Sequence, residues 1–235
     1  MQLFYNPDID ENTTNITFTK DESKHIVKVL RKTSGDTLEI TNGKGWLFIA
    51  EIVQADIKNC QAIVLSKTFQ PPRNYKVHLA VAPTKMNERY EWFLEKATEI
   101  GVDTITPIIC DHSERKVVKT ERFEKIIQAA MKQSLHYYLP ILEEPIAFNE
   151  FVLSDLKGQK FIAHCEERDR KAFKNALKQN EDVVVLIGPE GDFSTSEIDL
   201  ATAQNFKAVT LGNTRLRTET AAVVACHTIA LINEN

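Results

Sequence analysis

The side chains best suited to chemistry gather near the carboxyl end of the chain. Arg215 and Arg217 flank Leu216 in the segment Leu211-Gly-Asn-Thr-Arg-Leu-Arg-Thr-Glu-Thr-Ala221, and Glu190 lies upstream in Ile187-Gly-Pro-Glu-Gly-Asp-Phe-Ser194. A guanidinium presents a planar fork of donors that suits phosphate or a developing enolate-like oxyanion. Glu219 and Glu190 are candidates to accept a proton, or to orient an arginine. Gly188, Gly191 and Gly212 leave main-chain donors and acceptors uncovered, which suits a small polar ligand.

Such residues need strands to hold them. Val183-Val-Val-Leu-Ile187 predicts a strand buried on both faces, and Ala208-Val-Thr-Leu211 predicts another. In parallel sheets, ligand sites gather beyond the carboxyl ends of the strands. Gly188 ends the first strand, Pro189 stiffens the turn, and Gly191 is expected to take a backbone angle closed to other residues. Ser194 or Thr195 is expected to cap a helix over 196–205, with Glu197 near its first turn. Thr218 is expected to cap the final helix, with Glu219 as a favourable first-turn charge. Leu216 is expected to point elsewhere between the two arginines. Neither loop carries a nucleotide fingerprint of the dinucleotide or triphosphate kind. The histidines are scattered and no His/Cys cluster has metal spacing, so no metal is expected.

The rest of the chain divides in two. Residues 1–70 read as β: Ile16–Phe18, Asp36–Thr41, Trp46–Val53 and Cys60–Leu65 are candidate strands, with Asn42-Gly43 as a turn. A helical stretch over 21–30 places Ile26, Val27 and Leu30 on one face. Together these suggest a small, partly closed barrel. Pro71-Pro72 breaks the pattern and marks a boundary. Over 73–235, strands 77–82, 104–109, 160–164, 183–187 and 208–211 alternate with helices 88–100, 122–133, 168–179, 196–205 and 218–232. That alternation predicts an α/β domain on a mainly parallel sheet. Gly101 takes the place glycine favours just past a helix.

Composition sets limits. At 235 residues, with 43% apolar and 26% charged side chains, the chain reads as an ordinary soluble protein. It has neither an apolar run of membrane length nor a secretory signal, so no membrane is expected. Cys60, Cys110, Cys165 and Cys226 lie far apart among apolar neighbours and read as free buried thiols of a reducing compartment, hence a cytoplasmic protein. The net charge of −4 argues weakly against nucleic acid. Arg115, Lys116, Lys119, Arg122, Lys125 and Lys132 nevertheless form a locally basic stretch, read either as a phosphate-binding strip or as ordinary solvated lysines. The final helix is apolar nearly all round, which suggests cover from the sheet and from a second subunit.

The motifs in order carry a family resemblance. Gly188-Pro-Glu-Gly with Phe193-Ser and Glu197, then Leu211-Gly, then Leu216-Arg-Thr-Glu-Thr-Ala221, resemble the RsmE family of ribosomal RNA methyltransferases. His25-Ile-Val-Lys-Val-Leu-Arg31 with Gly35-Asp36 is similar to the family's barrel. Lys85, Glu95-Lys-Ala-Thr-Glu-Ile-Gly-Val102, Pro107, Ser113-Glu-Arg115, Gln133-Ser134 and Pro140 are similar to its central signature. The resemblance implies a PUA-like β-barrel over 1–70 and a SPOUT methyltransferase domain over 73–235, the latter a parallel-sheet domain with a trefoil knot. It also implies a homodimer, S-adenosyl-L-methionine as methyl donor, and N3 of one uridine in 16S rRNA, free or in an assembled small subunit, as acceptor.

On that reading Ile187, Gly188, Glu190, Gly191, Leu211, Gly212 and Leu216 hold the donor. Arg217, then Arg115, stabilises charge on the base, with Glu219 beside them. Lys24, Lys28, Arg31 and Lys32 of the barrel, with Arg122 and Lys125, contact RNA. Three positions depart from the family pattern: Asp192 replaces a usual glycine, Gln2 replaces a usual arginine, and the arginine often found after Gln133-Ser134 is absent. Asp192 tolerates a positive φ better than most residues, and its side chain could meet a polar part of the donor. Three alternatives stay open: the same fold acting on a ribose hydroxyl or a tRNA base, an RNA-binding assembly factor without catalysis, and an enzyme of a small nucleotide.

Overall fold

The computed structural model describes residues 2–166 and 169–234. The chain forms two compact units. The first runs to Pro72 and includes Met131–Leu139, and the second holds Arg73–Ala130 and the remainder from Pro140.

In the first unit, β1 (Leu3–Tyr5), β2 (Asn15–Thr17), β3 (Thr37–Thr41), β4 (Trp46–Gln54) and β5 (Gln61–Phe69) make a curled sheet in the order β1-β3-β4-β5-β2. Strict alternation drives it. Phe48, Ala50 and Ile52 of β4 turn inward with Leu38 and Ile40 of β3, onto Phe4, Ile16, Phe18 and Ile26. Each such side chain contributes roughly 1.5–3 kcal/mol by leaving water. The helix expected over 21–30 is present in altered form. Helix α1 (Lys20–Lys24) passes directly into a π-helical turn (His25–Val29), closed by Leu30 N donating to His25 O at 2.9 Å. Ile26 is buried and Val27 and Leu30 pack beside it, as their spacing predicts. Strand β1, which sequence reasoning did not anticipate, pairs in parallel with β3. Met131–Leu139 clips on at the Asn42–Gly45 turn, where Gly45 N donates to Tyr137 O at 2.9 Å and Leu139 N to Gly43 O at 2.9 Å. A Cβ on Gly45 would strike the Tyr138 ring, so glycine is required there.

The second unit alternates β6 (Val77–Val81), α2 (Asn87–Ile100), β7 (Thr104–Ile109), α3 (Thr120–Gln133), β8 (Ile141–Leu142), β9 (Ile146–Ala147), α4 (Phe148–Leu153), β10 (Gln159–Ala163), β11 (Lys171–Ala172), α5 (Phe173–Ala176), β12 (Val183–Ile187), α6 (Thr195–Ala203), β13 (Lys207–Thr210) and α7 (Thr218–Asn233). Every described pairing in its sheet is parallel, in the order β11-β13-β10-β12-β6-β7-β8, with β9 on β7. Strand β12 lies centrally and is buried at all its positions, as the unbroken Val/Leu/Ile run predicts. Helices α4 and α6 cover one face with Phe148, Phe151, Ile198 and Ala201, whereas α7 packs against β6, β12 and α2. Gly101 closes α2 at φ 107°.

Two expectations fail. The helix over 168–179 is reduced to β11 and the single turn α5, while Arg168 lies outside the described residues. Its apolar positions Ala172, Phe173, Ala176 and Leu177 have helical spacing, but Phe173 alone of them is buried in the core, and the turn ends at Leu177, whose backbone is extended. Cys165 is exposed, although Cys60, Cys110 and Cys226 are buried free thiols as expected. Burial pushes the Cys226 thiol up to about 12 and raises Cys110 as well, so neither is a nucleophile.

Candidate functional site

The site lies where β10, β12 and β13 end. Helix α6 begins with a capping box: Glu197 N donates to Ser194 Oγ (3.3 Å) and Ser194 N to Glu197 Oε2 (2.8 Å). The box reaches beyond its own helix. Glu197 is 3% exposed, and its other oxygen accepts from Asp111 N at 2.9 Å. Ser194 Oγ in turn donates to Asp111 Oδ2 at 2.6 Å. One buried carboxylate therefore fastens the loop after β7 to the loop after β12. Glu190 adds a third tie, accepting from Lys85 N at 3.0 Å, while Lys85 Nζ pairs with Glu114 at 2.8 Å.

The positive backbone angle in the glycine loop falls on Asp192 (φ 64°), whereas Gly191 is needed for another reason. A Cβ on Gly191 would approach His112 Cβ to 3.1 Å. The ring's Nδ1 lies 3.2 Å from Gly191 O and 3.1 Å from Asp192 O; both are acceptors, so Nδ1 carries the proton. The Asp192 carboxylate accepts from Phe193 N (2.9 Å) and from Cys165 N (2.7 Å). It is thus occupied in tying the loop after β10 to the glycine loop.

The second loop is open. Thr210 Oγ1 donates to Gly212 O at 2.7 Å, Gly212 sits at φ 150°, and Asn213, Thr214, Arg215 and Arg217 are exposed. Its far end is pinned by Thr218, whose hydroxyl donates to Gly188 O at 2.9 Å. This corrects the expected cap. Arg217 occupies the N-cap position of α7 without a side-chain cap bond, and Thr218 is already inside the helix, bridging to the other loop.

Two adjoining cavities lie between the loops. One, of about 300 Å³, is bounded by Ile187, Gly188, Glu190, Asp192 and Arg217. The other, of about 240 Å³, is bounded by His164, Arg170, Val209, Leu211 and Gly212. They share Ala163, Cys165, Arg215, Leu216 and Ala221. Leu216 consequently lines the site, against the expectation that it points elsewhere. Of the candidate donor-holding residues, Ile187, Gly188, Glu190, Leu211, Gly212 and Leu216 line the cavities, and Gly191 stands behind them under His112.

The candidate catalytic residues are placed differently from one another. Arg217 lines the larger cavity. Glu219 lines neither: it is 7% exposed, its Oε1 lies 4.0 Å from Arg89 Nε, and its Oε2 has no hydrogen-bond partner among the described residues. Arg115 is half-buried in the loop after β7, outside both cavities. Lys24, Lys28 and Arg31 are exposed, and Lys32 lies beside them with Nζ 3.4 Å from Thr37 O. Lys125 is exposed, whereas Arg122 already pairs with Glu91 at 2.6 Å. His78 is structural, bonded to Thr106 at 2.8 Å, and burial lowers its pKa to about 4. Among the described residues no cluster of His, Cys, Asp and Glu is arranged to hold a metal.

Sequence reasoning missed Cys165, Arg170 and Arg89. Cys165 looks like the other thiols in composition, and Arg170 sits in a segment read as helix. Arg89 is one polar residue among several on α2. Only its approach to Glu219 singles it out.

Known proteins match the whole chain. A model of the RNA methyltransferase domain covers residues 71–230, and one of the RNA methyltransferase PUA domain covers 18–65. The ribosomal RNA small subunit methyltransferase E of Rickettsia conorii is 27% identical over 100% of this chain and 96% of that protein. The protein of the same name from Buchnera aphidicola (from Acyrthosiphon pisum) is 30% identical over 95% and 90%. Among solved structures, a probable rRNA methyltransferase from Porphyromonas gingivalis superposes with a TM-score of 0.91 at 42% identity, covering 99% of this chain and 98% of that one. A methyltransferase from Legionella pneumophila in complex with bound SAM gives 0.88 at 30%, covering 98% and 97%.

Proposed function

This chain belongs to the RNA methyltransferase family, in its ribosomal RNA small subunit methyltransferase E branch, and from that premise we propose that it methylates N3 of a uridine in 16S rRNA with S-adenosylmethionine as donor. The observation that carries the reading is the bond from Thr218 to Gly188 O, which joins two loops of uncovered backbone around adjoining cavities. Taken together, at about 240 and 300 Å³, they have the size of a small-molecule site, roughly 300–1,000 Å³. Glycine at 188 and 212 lets a ligand approach the main chain, and Ile187, Leu211 and Leu216 offer apolar cover to a nucleoside.

The donor supplies, when bound, a methyl group made electrophilic by its sulfonium. The protein's task is the acceptor, because N3 of uracil carries a proton at neutral pH. Arg217, on the wall of the larger cavity and free of a capping task, is suited to the charge that spreads onto the base oxygens. Glu190 lines the same cavity and is suited to take the N3 proton, directly or through water. Glu219 is buried against Arg89, which supports a role in orienting that arginine. Arg115 is a second guanidinium for the acceptor side. The exposed Lys24, Lys28 and Arg31, with Lys32 and Lys125, are suited to phosphates, which makes RNA binding strongly salt-dependent.

The order of the strands supports the trefoil threading: β13 lies on one side of β10, and α7 returns to β12 and β6 on the other. A homodimer is supported by α7, which leaves Leu231 56% exposed with Val223, Val224 and Ile232 partly so. Mass-spectrometric mapping of rRNA from cells lacking the protein, before and after its return, tests the reaction. One uridine gaining a base methyl is the expected result. A methyl on a ribose or on tRNA overturns the acceptor.

A further inference from the structure

Outside both cavities, a carboxylate and a guanidinium meet with part of their bonding capacity unspent. The buried Glu219, in the first turn of α7, has its Oε1 4.0 Å from Arg89 Nε, an ion pair too long for a hydrogen bond. Among the described residues its buried Oε2 has no hydrogen-bond partner. A helix start favours a first-turn carboxylate, but the benefit is available at the surface and does not explain burial. Arg89 stands in the first turn of α2, where the macrodipole disfavours a cation. Neither helix needs these charges for its own sake.

Arg89 is held by one edge only. Its Nε faces the carboxylate, and among the described residues its Nη fork makes no hydrogen bond, on a side chain 37% exposed. A guanidinium braced through Nε and open at the fork is suited to take a phosphate bidentately. Its place in the fold says which phosphate. Helix α2 follows β6, the sheet neighbour of β12, and the connecting loop is tied to the glycine loop by Lys85 N donating to Glu190 Oε1. Glu219 follows closely on Arg217, which lines the larger cavity. Arg89 therefore stands at the same edge of the sheet as Arg217, yet it lines neither cavity, so its anion is not part of a ligand held there. We propose that Arg89 clamps a phosphate of the acceptor RNA beside the target nucleotide, and that Glu219 is the positioning residue that holds its guanidinium for this task. The proposal deepens the methyltransferase reading and rests on it, but requires only an RNA acceptor and not N3 in particular.

The test uses small ribosomal subunits from cells lacking the protein, and the rRNA extracted from them, as acceptors. Methyl transfer from labelled S-adenosylmethionine gives kcat and KM, and filter binding at several salt concentrations gives the salt slope. In Arg89→Met, which keeps the aliphatic stem, KM for the RNA should rise about ten- to thirtyfold, the lower part of the range for a charge-assisted bond because the residue is half-exposed. The slope of log affinity against log salt should fall by about 0.7–0.9, one phosphate contact. Calorimetry with S-adenosylhomocysteine should give a donor affinity within about twofold of the unsubstituted chain. Arg89→Lys should restore the slope and part of the KM, since it keeps the charge and loses the fork. Glu219→Gln should raise KM in the unsubstituted chain and add nothing in Arg89→Met, whereas a merely structural role would weaken both backgrounds alike. An Arg89→Met chain with unchanged KM and salt slope, or one that loses donor affinity instead, overturns the assignment. A chain that binds S-adenosylhomocysteine but methylates neither acceptor overturns the methyltransferase reading, and the clamp with it.

Discussion

The two loops that frame the site are built in opposite ways. The loop after β12 is braced at every turn: Glu190 to Lys85, Asp192 to Cys165, Ser194 to Asp111, and Glu197 beneath to both Ser194 and Asp111. Among the described residues, the loop after β13 has only the two bonds that Thr210 Oγ1 makes with Gly212, to its O and from its N, and one anchor, Thr218 to Gly188. A braced loop holds its donors in place before any ligand arrives, so little ordering cost remains at binding. An open loop leaves its charged side chains free to meet a second, larger substrate. On the proposed reading both loops hold the donor, the first as a fixed wall and the second as an adaptable one that also brings Arg217 to the acceptor. Substitutions in the open loop should therefore alter rate and binding at little cost to folding, and those in the braced loop should alter folding first.

Arg217→Ala should give the largest effect of all. The residue is exposed and makes no cap bond at α7, so its removal should leave the melting temperature unchanged. Methyl transfer should slow by about 10²–10³-fold, the scale of removing one preorganised donor from a developing anion. Donor affinity should hold within about twofold. Stopped-flow turnover and calorimetry on the same sample separate the two. A large loss of donor affinity with unchanged turnover would assign Arg217 to the donor and erase the contrast.

Glu197→Ala is the matching test of the braced loop. It leaves Asp111 N and Ser194 N without their acceptor in a buried place and removes half of the capping box. The loss should be about 2–4 kcal/mol. For a chain of this size that lowers the melting temperature by roughly 5–12 °C. Thermal denaturation followed by circular dichroism gives the answer. A shift under about 2 °C would mean that the bracing contributes little to folding.

How much of this arrangement was readable in advance depended on its range. Strand β12 announced itself because five consecutive apolar residues require burial on both faces. Ser194, one of two candidate caps, and Glu197 in the first turn were legible because their spacing is local, though not that they close a capping box. Their second partner, Asp111, is brought in from another strand, and no pattern in sequence encodes that meeting. Thr218 shows how a local rule misleads. A threonine before a helix reads as a cap, yet the acceptor it serves, Gly188 O, lies a full strand and helix away. The segment 168–179 misled in the same way, since Ala172, Phe173, Ala176 and Leu177 have helical spacing, yet only Phe173 finds a place in the core. The family motif identified the loops together. It did not reveal that Glu219 faces Arg89 instead of the cavities.

Gly212→Ala probes the open loop at its most constrained point. The residue sits at φ 150°, and an added Cβ meets nothing within 4 Å, so the cost is confined to the backbone. That cost is roughly 1–2 kcal/mol if the conformation is kept. An exposed loop can escape it by relaxing, so the melting temperature should move by less than about 2 °C. The relaxed loop no longer matches the donor, and affinity should weaken about three- to tenfold by calorimetry. A melting-temperature loss as large as that of Glu197→Ala would show that this loop is as integral to folding as the first.

The smallest effect, and the sharpest, is expected at Asp192. Its carboxylate receives two main-chain donors, from Phe193 and Cys165, while its backbone sits at φ 64°. Replacement by glycine removes bonds worth about 1–2 kcal/mol in a half-exposed setting. It also relieves a left-handed strain of about 1 kcal/mol, and then gives some back through the greater freedom of glycine when unfolded. The net loss should be under about 1 kcal/mol, or less than roughly 4 °C. Asp192→Ala loses the same bonds and keeps the strain, so stability should rank aspartate above glycine and glycine above alanine. Were alanine to equal glycine, the positive φ would carry no cost and the residue would be held by its carboxylate alone. Were aspartate to rank below glycine, the tie to Cys165 would contribute nothing, and the bracing of this loop would stop at Ser194 and Glu197.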